Sequence, residues 1–156
     1  YNPTIGHSQA SFMGRIADVL TEADHDVSTI INTVDPTVSD GTKLSKIIRI
    51  QPSDATKIAH SEQLNMKLDL FSMNDNDPIG AYFMGQVFGK MFANQCRALL
   101  EEPGMVERLK AEKYDVFFAE HYDMCGVGLT HLIEPKSFIS VSASNIFGQQ
   151  LKDFSF

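Results

Sequence analysis

Basic residues are scarce in this sequence: 13 Lys and Arg stand against 20 Asp and Glu, for a net charge of −7 with histidine neutral. A nucleic-acid binder needs a basic face, and here the few cations are scattered, so nucleic acid is not an expected partner. No apolar run approaches the roughly 20 residues that cross a bilayer. There is no initiating Met, no signal-like stretch and no basic leader, so the start is expected to be processed or cut. Only two cysteines occur, Cys96 and Cys125, at a spacing that fits neither a metal site nor a redox pair. They suit two buried thiols or, in an oxidising compartment, a single bridge; buried thiols are the simpler expectation. A dinucleotide-type glycine triplet is missing, and so is a phosphate-cradling loop with Lys. This chain is therefore not expected to bind a cofactor itself.

What remains is an ordinary globular composition: 156 residues, 43% apolar and 21% charged, enough for one domain spanning 1–156. Tyr1 and Asn2 read as the tail of a strand. Pro3 and Gly6 then punctuate a loop, and a helix is expected over 8–23, with Phe12, Ile16, Val19, Leu20 and Ala23 inward and Arg15, Asp18 and Glu22 outward. Strands are predicted over 27–31 and 46–50, around a polar loop holding Pro36 and Asp40-Gly41. Residues 53–76 are weakly patterned; Asp54 is a candidate cap for a helix carrying Ile58, Leu64, Met66, Leu68 and Leu70. Asp77-Pro78 opens the longest helix, over 78–100. Gly80, Gly85 and Gly89 inside it each cost about 1 kcal/mol relative to Ala, which predicts close packing or a site against that face. A short charged helix over 105–113 follows, then an apolar strand over 114–119, a helix over 125–133 and a last strand over 138–141. Little pattern is legible from 145 onward. Strands alternating with helices in this way predict a doubly wound, Rossmann-like parallel sheet.

In such sheets ligands sit beyond the carboxyl ends of the strands, where chain order reverses. His7 follows the first strand and Glu120 the fourth, so both are expected on one edge. A neutral imidazole, the form a general base requires, is also the form compatible with the positive end of a helix dipole. A carboxylate accepting the ring N–H fixes the tautomer and stabilises the imidazolium formed on proton uptake. Glu120 could equally cap the next helix, although Asp123 suits that cap better. No nucleophile motif surrounds Ser8 or Cys125.

Asn-Pro-Thr-Ile-Gly-His-Ser at 2–8, Phe-Met-Gly-Arg-Ile-Ala-Asp-Val-Leu at 12–20 and Asp-His-Asp-Val at 24–27 resemble the opening of the UDP-glycosyltransferases, the UDP-glucuronosyltransferase type especially. Tyr-Asp-Val-Phe-Phe-Ala-Glu at 114–120, followed by Cys125-Gly126, is similar to that family's second landmark. The resemblance implies the N-terminal, acceptor-binding half of a GT-B enzyme, with the C-terminal nucleotide-sugar domain and its membrane anchor outside these residues. It implies His7 as the base and Glu120 as its partner, where the family usually has Asp, with Asp123 as the fallback. Ile5 and Gly6 beside the base, and Phe83, Val87, Phe88 and Phe92 on the long helix, become candidate walls for a small lipophilic hydroxylated acceptor. The implied co-substrate is a UDP-sugar, UDP-glucuronic acid or UDP-glucose, used without a metal. The implied location is the endoplasmic reticulum lumen. The alternatives are a non-catalytic ligand-binding or interaction domain on the same sheet, and a small nucleotide-binding enzyme unrelated to sugar transfer.

Overall fold

The computed structural model describes residues 1–65 and 78–143. Its elements run β1 (Asn2–Thr4), α1 (His7–Glu22), β2 (Ser28–Thr33), β3 (Lys46–Ile50), α2 (Asp54–Asn65), α3 (Pro78–Glu101), α4 (Met105–Ala111), β4 (Val116–Glu120), α5 (Met124–Ile133) and β5 (Ser137–Val141). The expected contributions of Met66, Leu68, Leu70 and the Asp77 cap, and the unpatterned stretch from 145, lie outside the described residues. The chain is α/β with every strand pair parallel, as the strand–helix alternation predicts.

β1, β2 and β3 form one sheet in that order, and β4 and β5 form a second. The Tyr1 backbone nitrogen donates to the Phe118 carbonyl at 2.7 Å, which sets β4 beside β1. The chain therefore works outward from β1 through β2 and β3 on one side, then returns to begin β4 on the other. This is the chain-order reversal at which open α/β sheets place their ligands.

One main core lies against the α3–α5 side. Ile30, Ile48, Ile50, Phe117 and Ala119 from the strands meet Leu99, Leu109, Leu129 and Ile133 from the helices. Full burial of a side chain such as Leu129, 1% exposed, is worth about 1.5–3 kcal/mol. Cys96 and Cys125 are not thiols: they are joined, with Cα atoms 5.5 Å apart, and the bond ties α3 to the start of α5. The two residues fall at facing positions of adjoining helices, a proximity that their spacing in sequence does not reveal.

The helix at 7–22 is found, but its buried face is rotated from the expected one. Ala10, Met13, Gly14, Ala17 and Asp18 turn inward, whereas Phe12 and Val19 are exposed. The reason is a backbone crossing. A Cβ on Gly14 would stand 2.0 Å from the Gly41 carbonyl carbon, and one on Gly41, at φ +76°, would stand 1.9 Å from the Ala10 oxygen. Small residues permit that approach. Asp18 then accepts from Thr42 Oγ1 at 2.6 Å, from Lys43 N at 2.9 Å and from Leu44 N at 3.0 Å, which satisfies a buried carboxylate.

Two further expectations change. Ser53, not Asp54, caps α2, its Oγ accepting from Thr56 N at 3.1 Å. Thr56 and Ala59 are the buried positions of that helix, while Ile58 and Leu64 face solvent. In α3, Gly85 and Gly89 are not closely packed: no atom of the described residues lies within 4 Å of a Cβ built on either, which leaves the other half of the expectation, a site against that face.

Candidate functional site

Three strand ends supply the carboxyl edge of the paired sheets. After β1 the chain passes through Ile5 and Gly6 into α1, with Gly6 extended at φ −141° as the N-cap and no side-chain cap. His7 is the first helical residue, exposed, and its imidazole has no hydrogen-bond or ion-pair partner among the described residues. Ile5 packs on a small cluster of Val34, Ala59 and Met91 together with Phe88.

After β2, the Asp35 backbone nitrogen donates to the Thr4 carbonyl at 2.9 Å, so this loop is tied to the end of β1. Asp35 Oδ1 accepts from Thr37 N and Oγ1, and Oδ2 lies 3.6 Å from His60 Nε2 on α2. Sequence reasoning misses this pair. Its only signal is an Asp-Pro turn directly after a strand.

β4 delivers the acids. Glu120, its last residue, is fully buried, and both carboxylate oxygens accept from Ala143 N, at 3.1 and 3.3 Å. His121 Nδ1 stands 3.4 Å from Glu120 Oε1. Burial pushes the Glu120 carboxyl above its ordinary range, while the Ala143 N–H and His121 pull it back. Asp123 caps α5: its Oδ1 accepts from Cys125 N at 2.9 Å, and its Oδ2 accepts from the Tyr1 hydroxyl at 2.5 Å. Burial raises this carboxyl too, against the Tyr1 and Cys125 hydrogen bonds. Asp123 is thus a structural cap.

Asp123 also ends a buried polar chain. The Tyr1 hydroxyl accepts from Asn32 Nδ2 at 2.6 Å, Asn32 Oδ1 from Gln95 Nε2 at 3.1 Å, and Gln95 Oε1 from Thr56 Oγ1 at 2.9 Å. This chain joins the α5 cap to β2, α3 and α2. Each link satisfies a group that would otherwise lose about 1–3 kcal/mol unpaired.

His7 and Glu120 accordingly sit at the ends of neighbouring strands, β1 and β4, but no hydrogen bond joins His7 to Glu120 or to Asp123 among the described residues. On the long helix, Phe83 is 54% exposed and pairs with Tyr82, while Val87 is half-buried. The rings that reach the strand ends are different. Phe88 stacks on Phe92 at 6.3 Å, Phe92 meets Tyr122 at 5.6 Å, and the Tyr122 hydroxyl donates to the Pro3 carbonyl at 3.4 Å. Phe92 also lines an apolar groove of about 540 Å³ between α3 and α5, together with Leu100, Met124 and Leu132. Among the described residues no group of three His, Cys, Asp or Glu side chains could hold a metal ion.

A parallel α/β layer with an exposed imidazole and buried acids at one edge defines a Rossmann-like unit. No family model matches the chain, and no solved structure matches it. Curated relatives do. The putative UDP-glucuronosyltransferase ugt-46 of Caenorhabditis elegans is 27% identical over 99% of this chain and 29% of its own length. The putative UDP-glucuronosyltransferase ugt-48 of the same nematode is 28% identical over 85% of the chain and 26% of its own length. Human UDP-glucuronosyltransferase 3A1 is 25% identical over 78% and 23%. Such matches across most of the chain support its membership of the UDP-glucuronosyltransferase family. The chain spans about a quarter of the length of these relatives.

Proposed function

We propose that residues 1–156 are the acceptor-binding, N-terminal half of an inverting UDP-sugar-dependent glycosyltransferase. His7 removes the proton from a hydroxyl of a small lipophilic acceptor. The acceptor oxygen bonds to the anomeric carbon, the bond from that carbon to the UDP oxygen breaks, configuration inverts and UDP leaves. Glu120 stabilises the imidazolium that results. Ile5, Gly6 and the Phe88–Phe92–Tyr122 row form the acceptor side, with Phe83 and Val87 farther along the same helix. The UDP-sugar, UDP-glucuronic acid or UDP-glucose, is held by a C-terminal half, and this chain alone sustains no transfer.

The observation that carries this proposal is the pairing of positions. The exposed histidine that begins α1 and the acid ending β4 flank the chain-order reversal, within a family that transfers sugar from UDP. The Cys96–Cys125 bond suits an oxidising compartment such as the endoplasmic reticulum lumen. No helix among the described residues is long and apolar enough to cross a membrane, and a membrane anchor belongs, on this proposal, to another part of the protein. The test is turnover of a phenolic acceptor by the full-length transferase with His7→Ala, which should collapse while the variant stays folded. Retained turnover would favour the second reading, a non-catalytic binding domain, which draws its support from a Glu120 already paired to Ala143 and His121 rather than to His7.

A further inference from the structure

The His121 ring presents an anomaly at this edge. It is buried, with its side chain 5% exposed. Its Nδ1 lies 3.3 Å from the Val141 carbonyl and 3.4 Å from Glu120 Oε1. Its Nε2 is buried with no hydrogen-bond partner among the described residues. The Val141 carbonyl carries no proton, so Nδ1 must donate to it rather than accept. The ring therefore carries a proton on Nδ1, which donates to the Val141 carbonyl with Glu120 Oε1 beside it at 3.4 Å. Nε2 is left unpaired in the interior among the described residues. Leaving such a polar atom unpaired is unfavourable, and an apolar side chain of similar size would avoid that cost. What the imidazole supplies in return is a donor aimed at a fully buried carboxylate, whose other donor is Ala143 N.

We propose that His121 is a positioning residue for Glu120: its Nδ1–H and the Ala143 N–H together fix the orientation of that carboxylate at the end of β4. This rests on Glu120 serving as the partner acid, but the 3.4 Å approach of Nδ1 to Oε1 stands whether or not the site is catalytic. Among the described residues, the ionisable groups facing Glu120 are His121 and Tyr122, whose phenol is raised mainly by burial and further by Glu120. The His121 N–H favours the ionised form of Glu120, so losing it should make this acid hold its proton to higher pH.

Nuclear magnetic resonance on the full 156-residue chain tests the proposal in two ways. Long-range proton–nitrogen correlations of His121 should show the Nδ1–H tautomer; an Nε2–H ring would overturn the proposal without any substitution being made. Titration of the Glu120 carboxyl should move to higher pH in His121→Phe and return toward the original in His121→Gln, which restores an N–H donor. An unmoved Glu120 titration in a folded His121→Phe chain would also overturn it. If His121→Phe fails to fold, the tautomer of the unsubstituted chain still decides. His7→Ala turnover in the full-length transferase then separates the two ideas: loss of turnover with an unmoved Glu120 titration sinks the positioning role alone, whereas retained turnover with a moved titration sinks the catalytic reading alone.

Discussion

The ends of β1 and β4 lie side by side yet are built on opposite principles. At β1, His7 is exposed, begins a helix whose N-cap is a glycine, and is held by no partner among the described residues. At β4, Glu120, His121 and Asp123 are all buried, and each bonds to backbone or a neighbouring side chain. The His7 side chain is open to solvent and contributes little to the fold, although Pro3, Thr4 and Ile5 before it are hydrogen-bonded or packed. The β4 end holds strands, cap and polar chain together and has little freedom left. Function and stability should therefore separate by strand, and substitutions can show whether they do.

The largest expected effect is on rate. If His7 is the proposed base, His7→Ala in the full-length protein should lower kcat by about 10²–10⁴, the usual contribution of a positioned base, equivalent to about 3–5 kcal/mol of barrier. Its urea midpoint should match that of the unsubstituted protein, because an exposed side chain without partners is lost. A midpoint that drops along with the rate would mean that the β1 end is structural after all.

Next is the covalent tie under β4. Removing the Cys96–Cys125 bond by paired Cys→Ala changes should lower unfolding free energy by about 2–4 kcal/mol, since the bond closes a loop with a sequence separation of 29. Chemical denaturation with and without reductant measures this. Reductant should shift the unsubstituted chain and leave the double variant unmoved. Asp123→Ala should follow at about 1–3 kcal/mol, because it strips both the α5 cap and the acceptor of the Tyr1 hydroxyl. A smaller loss than in an exposed-site control would show that the β4 end is not the anchor.

These expectations also mark how far the sequence alone reaches. The alternation of β-branched runs and amphipathic stretches reveals parallel α/β layering, and the positions of His7 and Glu120 follow from it. Which face of a helix is buried is far less legible. In α1 the large apolar residues are outvoted by Gly14 and Ala10, because a backbone crossing at Gly41 needs small side chains and nothing local to α1 announces that crossing. Asp18 reads as a solvent-facing acid until the loop at 42–44 supplies its donors. The Tyr1–Asn32–Gln95 chain is equally hidden. Its members are ordinary polar residues whose partners lie 31 and 63 positions apart. Long-range complementarity of that kind leaves no periodic trace.

A pH series sharpens the contrast with a smaller effect. Glu120 and Asp123 have carboxyls raised in the fold above their ordinary values of 4.5 and 3.8, chiefly by burial. The folded chain then binds these protons more tightly than the unfolded chain does. Stability should fall as pH rises from the ordinary value through the raised one, and the penalty is fully present above that window. Glu120→Gln mimics the protonated form, so its stability relative to the unsubstituted chain should climb across the same window. Asp18 works in the other direction. Its carboxyl is lowered, mainly by the Thr42 hydroxyl, and the stability it contributes is lost as pH falls through its folded value. Denaturant midpoints of chain and variant, measured in parallel from acid to neutral pH, isolate the Glu120 share. A difference that stays flat across the window would mean that its burial is relieved in solution.

The smallest effect concerns α3, where exposed glycines sit in mid-helix. Gly85 and Gly89 have open space where a Cβ would project, and neither has the backbone conformation that demands glycine. Alanine at either should therefore cost nothing in contacts and should restrict the unfolded chain, raising stability by about 0.5–1 kcal/mol per site. Gly89, however, lines the apolar groove between α3 and α5. If a ligand or another part of the protein seats its backbone there, Gly89→Ala should weaken that seating while Gly85→Ala does not. Thermal unfolding of both variants, first as this chain and then within the full-length protein, distinguishes the cases. Equal gains in both settings would leave the groove as plain surface. A gain for Gly89→Ala in the short chain that turns into a loss in the long one would identify the groove as an interface within the whole protein.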